Sequence, residues 1–97
     1  MNMRAYAVYD VKAKSYFMPF YMETEAQARR VFLTACLDKN SALCNFPDDF
    51  ALYELGIQDF ETGKFTETIV EIARANELLR SYMLAHPESS EDYEEDL

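Results

Sequence analysis

Residues 46–63 read FPDDFALYELGIQDFETG, and the fold follows from that stretch. A Pro47-Asp48 turn opens it, an apolar-rich run from Phe50 to Gln58 follows, and Phe60-Glu61-Thr62-Gly63 closes it. Proline presets φ for a turn, while aspartate bonds to its own local backbone. Gly63 supplies the positive φ that a tight hairpin turn needs. The segment from about Lys64 to Ile72 is the return strand, so residues 46–63 form the first arm and turn of a β-hairpin. Ile69, Ile72, Ala73 and Asn76 also fit helical spacing. The favoured reading is a strand that passes into a helix at about Arg74 and ends near Ala85.

Outward toward the N-terminus, Met3–Tyr9 and Ser15–Met22 flank the polar turn at residues 10–14 and predict a second antiparallel hairpin. Pro19 removes a ladder donor, so its strand lies at an edge or is bulged near its middle. Tyr6 and Val8 share one face of the first strand, and Ala5, Ala7 and Tyr9 share the other. Neither face is polar, which predicts a sheet covered on both sides. Thr24 and Gln27 form a capping box at the head of a helix that runs to about Lys39, where Asn40 and Ser41 stop it. Ala28, Val31, Phe32 and Ala35 form its core stripe. Leu33 and Leu37 lie off that stripe, offered to a C-terminal helix or to a second subunit. The sum is an α+β domain, residues 1–86, in the order β-β-α-β-β-α. It has a small antiparallel sheet, a helix packed on one face, and a disordered acidic tail at residues 87–97.

A chain of 97 residues makes one domain, and one that buries only about 60–65% of its unfolded surface. Seven Phe, seven Tyr and five Met exceed what such a core needs, which predicts a second buried surface and a homodimer. The net charge of −9 is unevenly placed: +2 over residues 1–30, −5 over 31–86 and −6 over the tail. Strong duplex binding through counterion release wants the opposite sign, so any nucleic-acid contact is local and N-terminal. Cys36 and Cys44 are too few for a disulfide framework and lack the histidines of a zinc site; reduced thiols fit a cytosolic protein. Nothing approaches a signal peptide or the roughly 18 apolar residues of a membrane span.

Catalytic vocabulary is thin. His86 has no nucleophile beside it, and the two glycines build no phosphate-cradling loop. Asp48, Asp49, Asp59 and Glu61 sit where aspartate and glutamate ordinarily serve turns. No enzyme, cofactor or metal is expected. The aromatic and basic residues of the first hairpin are more suggestive. Arg4, Lys12 and Lys14 near Tyr6, Tyr16, Phe17 and Tyr21 suit a stacking platform with a basic rim for single-stranded nucleic acid. The same kinds of ring also suit a core or a dimer interface, for which Tyr21, Leu33 and Leu37 are the candidates.

The order and spacing of these pieces resemble the small nonstructural protein family of gokushovirus-type microviruses, which are single-stranded DNA phages. The resemblance covers about residues 3–78. It rests on the strand Arg4–Asp10, the Pro19-Phe20 pair, and the helix bearing Ala28, Arg30 and Phe32. It is most specific at Pro47-Asp48-Asp49-Phe50, Leu52-Tyr53, Leu55-Gly56 and the turn from Asp59 to Gly63. It implies a non-enzymatic accessory role in phage DNA replication or genome packaging, in the cytoplasm of the infected bacterium. The implied partner is single-stranded DNA or a replication protein of phage or host. The segment Arg80–Leu97 is longer and more acidic than that family leads one to expect. Two other roles fit the residues: an acidic inhibitor that imitates nucleic acid at a basic host site, and a structural dimer that assists assembly.

Overall fold

The computed structural model describes residues 1–88. Within them the chain runs β1 (Asn2–Asp10), β2 (Ser15–Tyr16), β3 (Phe20–Met22), α1 (Glu25–Leu37), α2 (Ala42–Asn45), β4 (Phe50–Asp59), β5 (Phe65–Arg74) and α3 (Ala75–Ala85). The fold is α+β with one antiparallel sheet in the order β2-β1-β4-β5, β3 also pairing with β1. β2 and β3 are the two halves of the second predicted strand. The Phe17 N–H still donates to the Val8 carbonyl at 2.8 Å. Pro19 then interrupts the ladder, and pairing resumes at Phe20, opposite Tyr6. Most of the predicted tail, from Ser89 onward, lies outside the described residues.

α1 starts as the capping box dictates. The Gln27 N–H donates to Thr24 Oγ1 at 3.2 Å, and the Thr24 N–H donates to Gln27 Oε1 at 3.1 Å. Its buried row is Ala28, Phe32 and Cys36. Val31, assigned to the core stripe from sequence, is instead 41% exposed. The row that meets the sheet and α3 advances by four residues at a time, which leaves position 31 on its flank. Leu37 packs against the core and Leu33 is half-buried, so the helix face proposed for a second subunit is partly used inside the protein. Ser41 does more than end a helix: its Oγ accepts the Cys44 N–H at 3.2 Å and so caps the short α2, an element the sequence does not announce.

One core joins the helices to one face of the sheet. Tyr6, Phe50 and Leu52 meet Ala28, Phe32, Cys36, Leu43, Ala75 and Leu79 there. Register fixes which strand residues share that inner face: Tyr6 lies opposite Glu54, Val8 opposite Leu52 and Asp10 opposite Phe50. The outer face carries Ala5, Ala7 and Tyr9 of β1, with Ala51 and Tyr53 of β4 opposite Tyr9 and Ala7.

Within the described residues the core-forming helices α1, α2 and α3 all serve the inner face, so the chain itself lays no helix over the outer one. Ala5 and Ala7 are nonetheless buried. Their methyl groups lie low among the large side chains standing on neighbouring strands.

The β4–β5 ladder is irregular between Glu54 and Gly56, and there Ile69 takes φ +47°. A β-branched residue in the left-handed region is strained. The resulting kink breaks the regular edge of β5, which blunts it against pairing with another chain.

Candidate nucleic-acid interface

The alternation of β1 sends adjacent residues to opposite destinies. Tyr6 points inward, 0% exposed, and stacks on Phe20 at 6.0 Å between ring centres. Its hydroxyl makes no hydrogen bond to any described group, and burial pushes the phenol above its ordinary value. Arg4 is also on the inner side, where its Nη1 donates to Glu54 Oε1 at 2.7 Å. That pairing supports an otherwise buried carboxylate. These two residues, expected in a stacking platform, therefore belong to the core side of the sheet. Phe17 lies at the inner edge against Phe50, 5.8 Å between centres.

Tyr16 behaves as the platform reading requires, although its companions are different. It sits 4.8 Å from Tyr9 and 5.6 Å from Tyr53, and Tyr9 and Tyr53 are 5.8 Å apart. The three rings close a triangle on the outer face. Tyr16 is 41% exposed and the other two are half-buried. Burial, and then the Glu71 carboxylate, push the Tyr53 phenol upward.

Basic groups flank this triangle at one end of the sheet. Lys12 and Lys14 are exposed in the β1–β2 turn, immediately beyond the Tyr9–Tyr16 pair. Asp10 Oδ1 shapes that turn by accepting the Lys12 and Ala13 N–H groups at 3.0 and 3.1 Å. Lys14 closes it at φ +56°. Arg74 stands opposite Ala51 at the end of β5 and holds Glu71 Oε1 at 2.6 Å through Nε.

A second aromatic group stands farther along the same face. Tyr21 lies opposite Ala5, 5.4 Å from Phe60, and its hydroxyl donates to Gln58 Oε1 at 2.6 Å. Phe65 crosses the sheet over Gly56. A methyl there would meet Phe65 Cε1 and Cζ and the Thr66 carbonyl oxygen, each at 2.5 Å.

Sequence reading missed Tyr9, Tyr53, Phe60, Phe65 and Arg74. Parity was the available signal for Tyr9, which shares a face with two alanines. The others need the β1–β4–β5 register. Of the acidic residues expected in turns, Asp59 serves one: its Oδ1 accepts the Glu61 N–H at 2.9 Å, and the backbone donors hold its carboxyl below the ordinary value. Glu61 instead pairs with the N-terminal ammonium at 3.5 Å. Asp48 accepts a hydrogen bond from Asn76. Cys36 and Cys44 form no disulfide, and burial, with Cys44 near, pushes the Cys36 thiol up to about 12. No described helix is long and apolar enough to cross a membrane.

Compared with known proteins, residues 3–78 match the family described as Phage ORF5 protein. No curated protein and no solved structure matches the chain.

Proposed function

The chain belongs to the phage ORF5 protein family, and we propose that it is a non-enzymatic accessory factor that binds single-stranded nucleic acid in phage genome replication or packaging. The observation that carries this reading is the closed triangle of Tyr9, Tyr16 and Tyr53 on a sheet face that the core-forming helices leave open. Each base has a π-face, so such rings accept any sequence, at about 1–3 kcal/mol per stacked base. Lys12, Lys14 and Arg74 lie where phosphates of a strand on the triangle pass. The resemblance to gokushovirus-type proteins over the same residues supports a microvirus source and a place of action in the cytoplasm of the infected bacterium.

Eighteen acidic against nine basic residues make this binding weak and local. Three phosphate contacts on a single strand give a slope of log K against log salt near −2, at about −0.7 per contact. Five of the carboxylates lie in residues 89–97, so removing that segment tightens binding by lowering the repulsion.

The test is fluorescence anisotropy with a labelled single-stranded oligothymidylate at low salt. Tyr53→Ala is expected to weaken binding about tenfold. The double change Lys12→Glu and Lys14→Glu abolishes it without unfolding the domain, and Arg4→Ala lowers the melting temperature while the folded protein keeps its affinity. No binding by either the full-length or the shortened chain refutes this reading. Capture of a basic host protein in its place supports the nucleic-acid mimic that the excess of carboxylates also suits.

A further inference from the structure

The second aromatic group gives the platform a length. Counting along β1, Tyr16 lies opposite Tyr9 and Tyr21 lies opposite Ala5, four residues away. At a strand rise of about 3.3 Å that is about 13 Å. Bases stacked at about 3.4 Å apart fill it with roughly four nucleotides. Phe65 and Phe60 extend the same end across the sheet, and Tyr21, Phe60 and Phe65 are all exposed. Gly56 is what allows the Phe65 ring to lie across the strand, since any side chain there would collide with it.

The two ends differ in charge. The triangle has Lys12, Lys14 and Arg74 beside it. The far end has Asp59 and Glu61 in the β4–β5 turn and Glu67 opposite Gly56, against Lys64 and the N-terminal ammonium, which pairs with Glu61 at 3.5 Å. Phosphates are attracted at the first end and find no net attraction at the second. A strand that reaches the second end is held there by its bases.

We infer that Tyr21, Phe60 and Phe65 form a second stacking subsite for the same single strand, one that grips bases without binding phosphates. This rests on the single-strand reading of the triangle and deepens it. The consequence is unusual for a nucleic-acid site: affinity rises with oligonucleotide length while the salt dependence does not.

The experiment uses the full chain and fluorescein-labelled tetra-, hexa- and octathymidylate, each titrated across a salt series; the tetramer already carries the three phosphates that Lys12, Lys14 and Arg74 can meet. The octamer is expected to bind about tenfold or more tightly than the tetramer, with the same slope of log K against log salt. Phe60→Ala removes most of the gain for the octamer and leaves the tetramer unchanged. Phe60→Leu keeps the apolar bulk at this exposed turn, and it loses the gain equally if stacking is the cause. Three results overturn the inference while leaving the triangle in place: affinity independent of length, a slope that steepens with length, or an unchanged octamer affinity in Phe60→Ala. Failure of every oligonucleotide to bind overturns both readings.

Discussion

Replacing Gly56 by alanine tests the geometry of the outer face through stability alone. The added Cβ would come within 2.5 Å of two kinds of atom, the tip of the Phe65 ring and the Thr66 carbonyl oxygen. A ring tip moves by rotating about its own side-chain bonds. A backbone oxygen in a paired strand moves only if the β4–β5 ladder shifts. Overpacking of this kind costs about 1–3 kcal/mol. A urea m-value near 1 kcal/mol/M for so small a domain turns that into a fall of about 1–3 M in the unfolding midpoint. Gly63→Ala is the control: nothing lies within 4 Å of its Cβ position, but its φ of +80° disfavours a side chain. It should cost about 1–2 kcal/mol through its own backbone alone, so Phe65→Ala recovers none of that loss. Adding Phe65→Ala to Gly56→Ala should recover part of the loss, since the ring clash goes and the carbonyl clash stays. An unchanged midpoint for Gly56→Ala, or full recovery in the double variant, would refute the proposed packing of Phe65 and Thr66 around position 56.

Three further outcomes are expected. The Cys36 thiol is raised from 9.0 to about 12, so its contribution is fully present below pH 9 and is lost as pH rises through that interval. Across it, the protein should lose up to about 4 kcal/mol more than Cys36→Ala does, measured by urea titration at each pH. Ile69→Asn should raise the melting temperature, because asparagine tolerates φ +47° and the half-exposed isoleucine gives up little burial. Tyr6→Phe should be neutral or stabilising by about 1 kcal/mol in urea, since it removes a buried hydroxyl that bonds to no described group; a clear loss would show that the hydroxyl is satisfied.

Local chemistry made much of the fold legible. The Thr24–Gln27 box, the Gly63 turn and the passage from strand to helix near Arg74 each depend on a few neighbouring residues, and each is found within a residue or so of its expected place. The face of the sheet was harder to read. Tyr6 lies between Ala5 and Ala7 and Tyr9 between Val8 and Asp10, and the approach of Phe32 and Leu52 is what makes Tyr6 core. The role of Gly56 is equally non-local, because the ring that excludes a side chain there comes from the next strand. α2 was missed because a single helical turn capped by Ser41 has too few residues to show a period.

The division of labour between the two faces makes the functional proposal separable from the fold. On the inner side, Arg4 holds Glu54 and Tyr6 fills the core, so changes there read out as stability. On the outer side, Tyr16, Tyr21, Phe60 and Phe65 are exposed. Truncating an exposed ring costs little stability, so a variant there that keeps its melting temperature and loses oligonucleotide affinity points to a binding surface. A homodimer through the outer face would behave differently. The same substitutions would then shift the mass in solution together with stability, because an interface residue is buried in the assembly. Measuring mass, melting temperature and affinity on one panel of outer-face variants therefore distinguishes a single-strand platform from a subunit interface. In the proposed binding mode the mass stays constant while the affinity falls.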